Sequence, residues 1–217
     1  IAGGEPSIGS QAFSGCTNLK KINFECRAKV KSTGNGVFYE CKNLEVADFR
    51  DHFSEITDYF FSRCSNLTQV TLPNECKQIP KMAFTDCVKL EEISIPQNVT
   101  VIGDQAFLRC ERLSLIKFDG NSSPGSTSTG LSIGEFAFSE CTRLVRFNII
   151  SRKVISLGKF AFKGCKNLVK VKLLKTEIGE FTPEIIPEDI FNDCLKLKKV
   201  KMDNGKCLDL CRLRGPE

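Results

Sequence analysis

Ile102-Gly103-Asp104-Gln105-Ala106-Phe107-Leu108-Arg109-Cys110, followed by Leu113, Ile116 and Phe118, decides the fold, because the pattern recurs along the 217-residue chain. Written I-G-x-x-A-F-x-x-C-x-x-L-x-x-I-x-F, it has eight copies, whose cysteines are Cys16, Cys41, Cys64, Cys87, Cys110, Cys141, Cys165 and Cys194. Successive spacings are 25, 23, 23, 23, 31, 24 and 29 residues. The phenylalanine three before each cysteine and the leucine three after it are present in all eight copies. A period in the twenties predicts a solenoid, in which each coil stacks only on its neighbours and a lone coil cannot bury its apolar face.

The local pattern assigns parts of the coil. Ile93-Ser94-Ile95 and Ile116-Lys117-Phe118 alternate with period two, which predicts one half-buried strand per coil and a parallel sheet across coils. The Gly-x-x-Ala-Phe-x-x-Cys stretch reads as one or two helical turns on the opposite side, with Ala and Phe facing inward. Val99 to Ile102 reads as a second short strand. A single domain over 1–217 is expected, with repeats at about 8–202 and a tail or partial cap at 203–217.

These residues resemble the BspA-like class of leucine-rich repeats, found in bacterial and protist proteins. The resemblance spans about residues 8–202. It implies a leucine-rich-repeat solenoid of the α/β kind, with a parallel sheet on the concave face, short helical turns on the convex side and about eight repeats. It further implies a cell-surface or secreted adhesin-like protein that binds a macromolecular partner through the concave face. The alternative is an intracellular scaffold in the cytoplasm.

Composition narrows the chemistry. The chain holds one histidine, His52, and lacks G-x-S-x-G, a phosphate-binding G-x-x-x-x-G-K-[ST] and H-E-x-x-H. No catalytic residue, cofactor, metal site or small-molecule substrate is expected. Eight of the 12 cysteines share one phase and read as buried, unpaired thiols acting as small hydrophobes. Cys76 reads as core and Cys26 as a loop residue; Cys207 and Cys211, four apart in the tail, read as a disulfide pair or as free thiols, and zinc is disfavoured because it needs about four ligands, usually in C-x2-C pairs, and His52 is far away in sequence. No apolar run is long enough to cross a membrane. Sequons stand at Asn66, Asn98 and Asn121. The polar run at 119–130 reads as an inserted loop, and the insertion at 176–184 is acidic.

Charge divides the chain. Residues 1–110 carry a net −1 and residues 111–217 a net +6. Outward positions flanking the inward I-x-F pair collect Lys117, Arg146, Lys170, Lys172, Lys199 and Lys201 on the sheet face of copies five to eight. These six are the candidate partner-binding residues, and an acidic protein is the partner they fit. Nucleic acid is disfavoured, because the face lacks the interleaved aromatics that stack bases.

Overall fold

The structure, a computed structural model, describes residues 6–23, 29–50, 52–119, 130–174, 187, 189–202 and 207, with the side chains of 150–153, 174 and 202 left aside. Thirteen strands follow one another: β1 (Ser7–Ile8), β2 (Lys21–Ile22), β3 (Ser32–Thr33), β4 (Val46–Asp48), β5 (Gln69–Thr71), β6 (Gln78–Ile79), β7 (Glu92–Ile95), β8 (Val101–Ile102), β9 (Leu115–Phe118), β10 (Leu131–Ile133), β11 (Arg146–Leu157), β12 (Lys170–Leu174) and β13 (Lys199–Met202). All paired strands run parallel. The I-x-F strands form the concave face in three blocks: β2-β4-β5, β7-β9, and the start of β11 with β12 and β13. The convex strands β6, β8 and β10 continue into the end of β11. The fold is therefore the expected parallel-strand solenoid.

The expected helical turns are absent: no α-helix occurs among the described residues. Each Gly-x-x-Ala-Phe-x-x-Cys stretch instead places two residues at positive φ, the one before Ala and the one before Cys. In copy five these are Gln105 (φ 57°) and Arg109 (φ 57°). The N–H groups then alternate in direction. Those of Ala106, Leu108 and Cys110 turn back to Gly103, Gln105 and Phe107 within the coil. Those of Gln105, Phe107 and Arg109 reach forward to the carbonyls of Glu135, Ala137 and Ser139 in the next coil at 2.7–2.9 Å. A helix would close these bonds within one coil. The solenoid uses half of them to join coils, which satisfies every donor from Gln105 to Cys110. An α-helical periodicity in the apolar residues does not distinguish these two arrangements.

The cost is left-handed backbone at non-glycine residues, on the order of 1 kcal/mol each. Inter-coil bonding holds them there. The repeat glycines answer a different need. A Cβ on Gly103 would stand 2.8 Å from the Lys81 backbone nitrogen, so glycine permits close approach of consecutive coils rather than an unusual φ.

The core is a continuous column. The eight repeat phenylalanines, Phe13 through Phe191, stack with neighbouring centroids 5.2–5.7 Å apart and interplanar angles of 2–25°. Seven of them are buried, whereas Phe13 is 43% exposed, with a repeat ring stacked on one side of it, that of Phe38, among the described residues. Phe107, fully buried between Phe84 and Phe138, is expected to lose about 3–5 kcal/mol when replaced by alanine. Phe13→Ala removes a one-sided contact and is expected to cost less than half as much. Urea unfolding of both variants measures the difference; equal losses would mean that the column is not the shared core. Gln105→Gly is expected to raise stability by up to about 1 kcal/mol by relieving the left-handed backbone, read from the same curves.

Candidate functional site

The site residues are set out by strand register. Arg146 pairs with Lys170, and Lys170 with Lys199. Asn148 pairs with Lys172, and Lys172 with Lys201. Alternation turns these side chains away from Phe147, Val171 and Val200, which are buried. Arg146, Lys172 and Lys199 are exposed, while Lys170 and Lys201 are half-buried, as lysines are when the stem lies along neighbouring side chains and the ammonium stays in water. Two rows of cations result. Neighbours within a row are about 4.8 Å apart across strands, and the rows lie about 6.6 Å apart along them.

Lys117 does not join this block. It lies on β9, whose partner is β7, and its Nζ donates to Glu92 Oε2 at 2.9 Å. Sequence phase placed it in the stripe; the neutralising carboxylate one coil away takes it out. Five other described cations also meet acids, among them Arg50 with Asp48 and Arg112 with Glu91, while lysines such as Lys21, Lys42 and Lys89 have no ion pair among the described residues. Arg146, Lys170, Lys172, Lys199 and Lys201 have no acidic partner among the described residues. The acidic insertion at 176–184 and the polar loop over 120–129 lie outside the described residues, as do Cys26, Cys211 and Asn121.

Two further features went unread. Where the concave sheet breaks between β5 and β7, a cleft of about 300 Å³ opens, lined by Gln69, Thr71, Asn74, Glu92, Ser94 and Asp119 among others. Nothing in the repeat pattern marks a break in strand pairing. The second is a charge ladder on the turn side. Glu40, Arg63, Asp86 and Arg109, each just before a repeat cysteine, alternate in sign up the solenoid. Arg63 bonds Glu40 at 2.7 Å, and Arg109 bonds Asp86. The hydrogen bond from Arg63 holds the Glu40 carboxyl below its usual range. In both pairs the arginine is about half exposed and the acid less so, so solvent screening keeps their contribution to stability small. Their sequence signal was the alternation itself.

The thiols occupy the interior. Cys41 through Cys194 in the repeat, and Cys76, are buried and unpaired, whereas Cys16 and Cys207 are exposed. Cys16 departs from the expected buried ladder because no coil stands before it among the described residues. Each buried repeat thiol donates to the carbonyl of the repeat phenylalanine one coil back, at 3.0–3.2 Å. Burial pushes the thiols of Cys87, Cys110, Cys141 and Cys165 up, which withholds the reactive thiolate. Asn66 is half-buried and bonds Asn43, a poor setting for a glycan. No group of three or more metal-ligating side chains occurs among the described residues. Nor do the described residues form any helix long and apolar enough to cross a membrane.

The raised thiols make stability depend on pH. They keep their protons in the folded state, while unfolded thiols ionise near 8.5. The full contribution is present below about pH 8.5 and is lost as pH rises above it. At pH 9.5 the expected loss is about 1.4 kcal/mol per shielded thiol. Urea midpoints at pH 7.5 and 9.5 test this, as does labelling with a bulky thiol reagent. Cys16 and Cys207 are expected to react at once, and Cys87 and Cys110 only on unfolding.

Comparison with known proteins follows the geometry. The sequence profile of the BspA type leucine-rich repeat region matches residues 4–121 and 122–208, with six copies, against eight counted from the Phe–Cys–Leu sets. A leucine-rich repeat protein from Bacteroides ovatus, of known crystal structure, is 27% identical with a TM-score of 0.52. The match covers 91% of this chain and 58% of that one. The leucine-rich repeat protein of T. pallidum is 20% identical with a TM-score of 0.55, covering 89% and 72% of the two chains. No curated protein matches the sequence.

Proposed function

The chain belongs to the BspA type of leucine-rich repeat proteins, and we propose that it is a non-enzymatic protein-binding module of the cell-surface or secreted, adhesin-like kind. The partner is an acidic protein that docks on the concave face at Arg146, Lys170, Lys172, Lys199 and Lys201. One observation carries this reading: five cations stand in register on the solvent side of three paired strands with no described acid beside them. What sets them apart is their packing in register: five cations on three adjacent strands, with no described acid paired to them, sum to a field that attracts an acidic partner.

A second reading, an intracellular scaffold, is favoured by the ten free thiols among the described residues, since unpaired cysteines suit a reducing compartment. Locating the native protein by fractionation of its source cell, beside thiol titration of the isolated protein, separates the two.

The double variant Lys172→Glu/Lys199→Glu tests the site. Both side chains point outward, so folding is expected to survive. Association with an acidic partner isolated on the wild-type solenoid is expected to slow about tenfold or more, and added salt to mimic the change. Surface plasmon resonance at two salt concentrations reads both. Unchanged binding at low salt would assign the lysines to solubility and move the site to the first three coils.

A further inference from the structure

The rows and their neighbours define the partner's shape more narrowly. We infer, resting on the concave-face reading above, that the block binds an extended acidic peptide segment running along the solenoid axis, with an apolar side chain at the end that faces β9. Three observations meet here.

The first is the spacing. Arg146, Lys170 and Lys199 form one row, and Lys172 with Lys201 the other. The rows are parallel to the axis and about 6.6 Å apart. An extended chain laid between them rises about 3.3 Å per residue and throws successive side chains to opposite sides. Same-side side chains of that chain recur about every 6.6 Å against about 4.8 Å between cations in a row, so a run of four or five acids presents carboxylates to both rows, with the long lysine stems taking up the difference in spacing.

The second is the end of the row. In β9 the phase held by Arg146 in β11 belongs to Leu115, which is 44% exposed, and Val145 beside Arg146 is 43% exposed. The two coils adjoin, since the Arg143 N–H donates to the Glu111 carbonyl and the rings of Phe118 and Phe147 meet edge to face. An apolar step thus terminates the charged furrow at one end. It rewards a leucine or similar side chain and gives a sulfate or phosphate group nothing.

The third is what the face lacks. No aromatic side chain projects among these rows, whose members are Arg, Lys and Asn. Nucleobases and sugar rings have no flat partner there. A polypeptide alone supplies both the carboxylates and the apolar end.

The test uses fluorescence anisotropy with four labelled probes. One peptide has a leucine followed by five Asp/Glu residues, and a second has serine in place of the leucine. A heparin-type sulfated oligosaccharide and a single-stranded oligothymidylate of matched charge complete the set. The leucine peptide is expected to bind best. Lys172→Glu/Lys199→Glu is expected to weaken it about tenfold or more, with Lys172→Gln/Lys199→Gln serving where charge reversal disturbs the fold. Leu115→Ser is expected to weaken the leucine peptide about three- to tenfold and to leave the serine peptide unchanged. Equal binding of both peptides to wild type and Leu115→Ser would overturn the apolar end and the orientation. Tighter binding of the sulfated oligosaccharide or the oligothymidylate, lost on charge reversal, would overturn the peptide while leaving the basic face as the site. If no anionic probe responds to charge reversal, both readings fall together.

Discussion

One carbonyl per coil joins the structure's interior to its stacking. The carbonyl of each repeat phenylalanine accepts the N–H of the cysteine in its own coil at 3.0–3.2 Å. From Phe13 to Phe162 it also accepts the S–H of the next repeat cysteine. A carbonyl has two lone pairs, and burying either unused carries a cost. Cysteine fits the position because it is small, apolar and carries a weak donor. Serine would bring a stronger donor at a larger desolvation cost, and alanine no donor at all. The ring of the same phenylalanine stacks on its neighbours. One residue thus sets both the spacing of the coils and the phase in which they stack.

Phase is what the rest of the molecule inherits. Equivalent side chains in consecutive coils sit side by side, so any preference at one position becomes a column. The inward column is phenylalanine. The column just before cysteine is a ladder of alternating charge through Glu40, Arg63, Asp86 and Arg109, where like charges in succession would repel. The outward columns of β11, β12 and β13 are basic without alternation. The contrast between these last two is informative. The same solenoid that alternates signs on its turn side leaves five like charges in register on adjacent strands of its concave side, with no ion pair to them among the described residues.

The fold was legible because repetition averages out local ambiguity. Phe107 alone could be core or surface; eight equivalents in one phase are core. The strands and the burial of Cys76 followed from the same logic. The turn segment was misread because inward Ala and Phe satisfy a helix and a left-handed turn ladder equally. The difference lies in whether Gln105, Phe107 and Arg109 donate within the coil or beyond it, and one coil's sequence holds no record of that. The ion pair of Lys117 was illegible for a related reason: phase identifies the face but not the block of strands, and Glu92 lies one coil earlier. The cleft beside Gln69 depends on a break in pairing that no residue type marks.

A rigid ladder also changes what the basic face can do. The register of β11, β12 and β13 is locked by backbone bonds and by Phe147, Val171 and Val200 beneath. The lysine stems therefore start from fixed points, and the repulsion between the rows is present before any partner arrives. A flexible surface would relieve such repulsion by spreading its cations apart. Here relief comes chiefly from the ammonium ends moving outward or from negative charge arriving between them. Salt ions supply that charge transiently, which is why the field weakens with ionic strength. A polypeptide carrying several carboxylates supplies it together, displacing many ions at the loss of one molecule's freedom. In the proposed complex, specificity lies in the geometry of the furrow and in the apolar step at Leu115, because charge alone attracts every polyanion to the same place.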